Sequence, residues 1–192
     1  MDDRIIEMHE KGYKYREENY KYCFDLDKWR ESDGYKLIKK HSNKQGAIIE
    51  VGCLSGHHLL LLEQDGYTDL TGVDFVADAI KWGKERGKNI NFLFNVFNNI
   101  SEAKPFDTFI CFDVLEHQHN IYDFFLKIRK LANTNARILF LVPKGKEYFD
   151  KCHVNFYPDT DCLKNLLDIY FKVEEIYEVE DGKKIFAKVK IK

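Results

Sequence analysis

The stretch Ala47-Ile48-Ile49-Glu50-Val51-Gly52-Cys53-Leu54-Ser55-Gly56 sets an apolar run against a glycine-bearing turn, and the leucines from Leu59 to Leu62 follow it. An apolar run of this length ending in Gly reads as a buried strand, and the leucine-rich continuation reads as a helix. Backbone N–H groups at such a turn come close to a ligand, so a ligand is expected here. Leu70-Thr71-Gly72-Val73-Asp74 reads as the neighbouring strand and places a carboxylate 22 residues after Gly52. That spacing suits a carboxylate gripping a ribose.

Outward from this pair the alternation continues. Strands are predicted over 47–51, 69–74, 90–95, 106–113 and 136–142, with helices near 56–65, 76–87 and 119–132 between them. Alternation of this kind gives a parallel sheet with helices on both faces. Gly66, Gly87-Lys88-Asn89 and Asn133-Thr134-Asn135 are read as turns, and Pro143 closes the fifth strand. Residues 144–157 form an irregular segment long enough to be a functional loop. Pro158, Asp159 and Asp161 then open a helix that reaches about Tyr170. Phe171–Val179 and Lys183–Ile191 flank Asp181-Gly182 as a hairpin, whose lysines at 184, 188, 190 and 192 are expected to face water and discourage edge pairing.

Residues 1–45 are charged and aromatic, with Tyr13, Tyr15, Tyr20, Tyr22, Phe24 and Trp29 among Lys and Glu. They read as two or three helices that either pack onto the domain or fold over the cleft as a lid. The whole chain, 192 residues and 44% hydrophobic, is enough for one domain that buries roughly 70% of its extended surface. A net charge of −2 gives no bulk attraction to nucleic acid or an anionic membrane. Cys23, Cys53, Cys111, Cys152 and Cys162 are scattered and contain no C-x-x-C pair, which fits reduced thiols in a cytoplasm. The charged start, Met1-Asp2-Asp3-Arg4, lacks a signal-peptide core, and no run approaches the roughly 20 apolar residues of a membrane span.

The motif Glu50-Val-Gly52-Cys-Leu54-Ser-Gly56, five parallel strands and a terminal hairpin resemble the class I S-adenosylmethionine-dependent methyltransferases over roughly residues 45–192. The resemblance implies an α/β, Rossmann-like seven-stranded sheet with an N-terminal helical extension over residues 1–45 and a cofactor-binding core over 46–192. It also implies S-adenosylmethionine as cofactor and S-adenosylhomocysteine as product. Glu50 would hold the methionine amino end, while Gly52, Cys53 and Gly56 would pass beside the cofactor. Leu54 stands where the family has its middle glycine, and its side chain is expected to turn toward the protein. Asp74 would accept the ribose hydroxyls, Phe75 would line the adenine, and Asn95, Val96 and Phe97 would lie near the adenine amino group. Phe112-Asp113-Val114-Leu115-Glu116-His117 is similar to the Leu-Glu-His signature of small-molecule methyltransferases, which puts Asp113 and Val114 by the methionine part. His153-Val154-Asn155-Phe156 resembles a His-x-x-Phe segment of the same enzymes.

The Asn/Asp-Pro-Pro-Tyr signature of enzymes that methylate bases or glutamine is missing, as is the double acidic loop of protein arginine methyltransferases. A small polar acceptor is therefore expected, methylated at oxygen, with a sugar, cell-surface or secondary-metabolite precursor as the analogy. His153 and then His117 are the candidate bases, since an imidazole with a pKa near 6.5 suits a hydroxyl acceptor. His57 and His58 read either as neighbours of the cofactor carboxylate or as an exposed helix start, and His119 as capping or bordering the next helix. Glu116 beside His117 and His119 would hold a metal only if the side chains converged, and no metal is expected. Two rivals remain: a non-catalytic methyltransferase-like binding subunit, and a nicotinamide oxidoreductase, whose Gly-x-Gly-x-x-Gly pattern is broken by Cys53, Leu54 and His57.

Overall fold

A computed structural model describes residues 25–101, 104–145 and 152–192, together with positions 7, 10–12 and 14. The expectations for Tyr13, Tyr15, Tyr20, Tyr22 and Phe24, and for positions 146–151 of the irregular segment, lie outside the described residues.

Two short helices come first, α1 (Leu26–Glu31) and α2 (Asp33–His41), capped by the side chains of Asp25 and Ser32. Then follow β1 (Ile48–Val51), α3 (His57–Gln64), β2 (Leu70–Asp74), α4 (Ala77–Lys84), β3 (Ile90–Phe94) and β4 (Phe106–Phe112). The chain continues through α5 (Ile121–Leu131), β5 (Ala132–Pro143), α6 (Thr160–Tyr170), β6 (Phe171–Val179) and β7 (Lys184–Ile191). The strands form one sheet in the order β3-β2-β1-β4-β5-β7-β6, in which β7 runs antiparallel to both neighbours. The strand order reverses between β1 and β4, the place where open α/β sheets bind ligands.

Alternation along the strands divides the core. Ile48, Ile110, Leu139 and Leu141 join Tyr35, Ile38, Leu59 and Leu62 on the face covered by α2 and α3. Ile49, Phe109, Cys111, Ile138 and Phe140 face the other way, onto Phe124, Phe125, Leu163 and Leu167 of α5 and α6. The central parallel strands β1, β2 and β4 are buried on both faces, which is why they read as apolar runs.

Two expectations are corrected. Asn133-Thr134-Asn135 is not a turn outside the sheet, because β5 begins at Ala132 and pairs there with Phe106. The register shifts between Phe106 and Thr108, so the polar triplet occupies a bulge, and Asn133 Nδ2 donates to Asp107 at 2.5 Å. The lysines of β7 do not guard an edge either, because β7 lies between β5 and β6. Lys188 pairs with Glu174 and Glu175, Lys190 with Glu174, and Lys184 with Asp113 and Glu180.

Candidate active site at the carboxyl ends of β1, β2 and β4

The turn after β1 is held by conformation. Gly52 and Gly56 have φ of 69° and 72°, and a Cβ on either would strike Val114 Cγ2 at 2.7 Å or Phe92 Cε1 at 2.4 Å. Leu54 between them has φ of 46°, so it takes the backbone shape of the glycine it replaces. Its side chain packs beside Val76 and Ala79, toward the protein. The Leu54 N–H donates to Asp74 Oδ2, and the Val76 N–H donates to Asp74 Oδ1, each at 2.8 Å. Asp74 thereby ties the turn after β1 to the end of β2. Burial pushes its carboxyl pKa up against the pull of these backbone donors. The Phe75 N–H is a further backbone donor to this carboxylate, and the lone pairs that these donors leave open suit ribose hydroxyls.

Glu50, 5% exposed at the end of β1, faces His58 Nδ1 at 2.6 Å, while its Oε2 has no hydrogen-bond partner among the described residues. A buried carboxylate oxygen of this kind fits the ammonium of a methionine moiety. His57 and His58 are buried, which corrects their reading as an exposed helix start. Trp29 of α1 stacks on His57 at 5.0 Å and meets His58 edge-on, and Trp82 of α4 covers His57 at 5.2 Å. Burial lowers the His57 pKa to about 4. The helices that leave β1 and β2 have no side-chain cap at their N-termini, unlike α1, α2, α5 and α6.

Other sequence-derived residues divide. Phe75 lies partly buried beside Leu54, and Asn95 is exposed, its N–H donating to the Asp74 carbonyl at 2.9 Å. Val96 is half-buried. The Phe97 side chain is corrected away from the cleft, because its ring packs on Phe124 at 5.4 Å in the core. Cys53 also turns its thiol into the core, against Gly72, and offers the cleft only backbone. Val114 rests on Gly52. Asp113 has φ of 52° and accepts from Lys184 Nζ of β7 at 2.8 Å, a pairing no sequence pattern announced. Burial would lower the Lys184 pKa, but Asp113 raises it.

Past β4 lies a 3₁₀ turn over Leu115–His117. The segment from Cys152 is laced to it: the Val154 and Asn155 N–H groups donate to the Glu116 carbonyl, and Asn155 Nδ2 donates to the Leu115 and Gln118 carbonyls. His117 Nδ1 meets the Cys152 carbonyl at 3.2 Å, and the His117 and His153 rings meet edge-on at 4.7 Å. The structure thus brings both candidate bases together. It also turns the Glu116 side chain toward them, against the expectation that it need not converge, whereas His119 is exposed and Asn120 caps α5. Burial, then the nearby Asp113, push the Glu116 carboxyl up to about 8.

Residues 16–167 match a family model described as a methyltransferase domain. The ubiquinone biosynthesis O-methyltransferase of Rickettsia conorii is 30% identical over 149 residues, 73% of this chain and 51% of that protein. The chain spans about half the length of such relatives. A TehB-like SAM-dependent methyltransferase from Corynebacterium glutamicum superposes with a TM-score of 0.72 at 15% identity, over 96% of this chain and 99% of that one. The glycopeptide N-methyltransferase MtfA, complexed with (S)-adenosyl-L-homocysteine, superposes with a TM-score of 0.68 at 8% identity, over 85% and 90%. At these identities the superpositions speak for the fold.

Proposed function

The chain belongs to the methyltransferase-domain family of S-adenosylmethionine-dependent enzymes, and from that premise we propose that it methylates an oxygen of a small polar acceptor. When bound, S-adenosylmethionine supplies an electrophilic methyl group on a sulfonium. The protein's task is alignment, which is worth several kcal/mol of the barrier. Asp74 would hold the ribose hydroxyls with the oxygen lone pairs its backbone donors leave open, Glu50 Oε2 would take the ammonium, and the turn from Gly52 to Gly56 would pass alongside. Phe75 and the backbone at 95–97 border the adenine.

The acceptor half rests on one observation, the edge-on contact of His117 and His153 beyond β4. Neutral imidazole beside a hydroxyl accepts its proton as the oxygen attacks, and amine acceptors need this less. The O-methyltransferase names of the Rickettsia relatives agree with an oxygen acceptor.

Calorimetry with S-adenosylmethionine tests the cofactor half. Asp74→Ala is expected to weaken binding by about 1.5–3 kcal/mol as its charge-assisted hydrogen bonds are lost, and unchanged affinity would remove Asp74 from the site. Release of S-adenosylhomocysteine across a panel of hydroxyl and amine acceptors tests the rest. Hydroxyl compounds are expected to turn over, with His153→Ala slower by about 10²-fold at unchanged cofactor affinity. Turnover of amines alone would overturn the oxygen assignment.

A further inference from the structure

We propose that Glu116, His117 and His153 form a binding site for a divalent transition-metal cation at the acceptor end of the cleft. One donor atom from each residue lies within 4.8 Å of the other two. Bonds of about 2.0–2.2 Å from nitrogen and oxygen to zinc would require these atoms to draw in by roughly an ångström, which side-chain rotation supplies. Two imidazoles and one carboxylate select zinc, manganese, iron or cobalt over calcium and magnesium, which favour all-oxygen sets.

Orientation carries the argument further than proximity. His117 Nδ1 lies 3.2 Å from the Cys152 carbonyl, a pure acceptor, so Nδ1 carries the proton and the lone pair is on Nε2. That Nε2 is the atom 4.0 Å from Glu116 Oε1. A second hydrogen bond of this type is how proteins fix the tautomer and ring plane of a metal-ligating histidine. Glu116 is 1% exposed, and its Oε2 has no hydrogen-bond partner among the described residues. A buried carboxylate oxygen without a partner is costly, and a cation beside it removes that cost. The frame is rigid: Val154 and Asn155 donate to the Glu116 carbonyl, and Asn155 Nδ2 bridges Leu115 and Gln118, so His153 is delivered to the 3₁₀ turn by five hydrogen bonds including that of His117.

Three protein ligands leave a coordination position open, as in catalytic rather than structural sites. The role of the cation rests on the oxygen methylation proposed above; its binding does not. With the cation bound, both imidazoles are its ligands and no longer serve as proton acceptors; an acceptor hydroxyl at the open position would instead be acidified by the cation and release its proton to water. The oxygen lone pair then forms the O–C bond as the C–S bond breaks, and its electron pair stays on sulfur, giving S-adenosylhomocysteine and a methyl ether.

The test uses the full chain, stripped with EDTA and dialysed, and titrated with Zn²⁺ alone and with Co²⁺ alone. One equivalent of Zn²⁺ is expected by calorimetry and elemental analysis, with Co²⁺ giving visible d–d absorption that Zn²⁺ displaces. His153→Ala and the near-isosteric Glu116→Gln are expected to weaken Zn²⁺ binding about 10²-fold or more, since even outer-shell changes cost 10–100-fold. Wild-type protein that takes up no Zn²⁺, or both variants binding it as tightly as wild type with unchanged far-UV circular dichroism, would overturn the site. S-adenosylmethionine is titrated into the stripped protein in parallel. Cofactor binding without metal binding defeats the metal site alone, and metal binding without cofactor binding defeats the methyl-transfer reading alone. Undiminished hydroxyl methylation by stripped protein overturns the role given to the cation.

Discussion

Leu54 shows how one residue can depart from a motif and keep its geometry. A left-handed backbone costs a leucine roughly 1–2 kcal/mol that a glycine escapes, and here packing on Val76 and Ala79 and the N–H bond to Asp74 offset it. The turn at Gly52 and Gly56 was legible because those positions act through local backbone form. His57 and His58 were not, because the rings that bury them, Trp29 and Trp82, come from other elements. That burial has a pH signature. His57 titrates at about 4 when folded and near its ordinary 6.5 when unfolded, so between those values the unfolded chain holds the extra proton and acid favours unfolding. The contribution is complete above pH 6.5 and is lost as pH falls toward 4; between pH 7 and 5 it amounts to about 2 kcal/mol. Urea unfolding at both pH values should show His57→Phe losing that much less stability than wild type on acidification. An equal loss in both proteins would refute the assignment.

At the scale of elements, the entry to α3 is where backbone form and packing coincide. Gly56→Ala adds a Cβ 2.4 Å from Phe92 at φ of 72°, and overpacking with the conformational penalty should cost about 2–5 kcal/mol. Gly145→Ala, also at φ of 72° but with nothing within 4 Å among the described residues, should lose only the conformational part, about 1–2 kcal/mol. Equal shifts in the denaturation midpoint would show that Phe92 yields freely. The elements themselves were legible wherever an apolar run met a turn residue, as at Ile48–Val51 and Leu70–Asp74. The start of β5 was hidden because Asn133-Thr134-Asn135 has turn chemistry but serves a bulge bonded to Asp107. The lysines of β7 misled likewise: even spacing marks a face of a strand and says nothing of which strands flank it.

Across the whole molecule the sheet is shared by two apolar layers, and neighbouring residues of β5 serve opposite ones. Leu139 faces the α2 and α3 layer, and Phe140 the α5 and α6 layer. Leu139→Ala should cost about 2–5 kcal/mol and Phe140→Ala about 3–5 kcal/mol. Because both layers hang on the same strands, either change should lower one common transition seen by near-UV and far-UV circular dichroism. Separate transitions would mean that the layers unfold independently. Long-range convergence is the part of the site the sequence withheld: Glu116 and His117 meet His153 only because the segment after β5 folds back to the end of β4.

The position of β7 bears on how the protein is made. It is later in sequence than every other strand of the sheet, yet it lies inside, between β5 and β6. On the ribosome, β6 is synthesised with no strand to pair with, and β5 keeps an open edge until β7 emerges. Lys184, the partner of Asp113, arrives with that same strand. A stalled nascent chain lacking β7 would therefore expose the open edge of β5 and leave β6 without a strand partner, the state in which a chaperone has most reason to hold it.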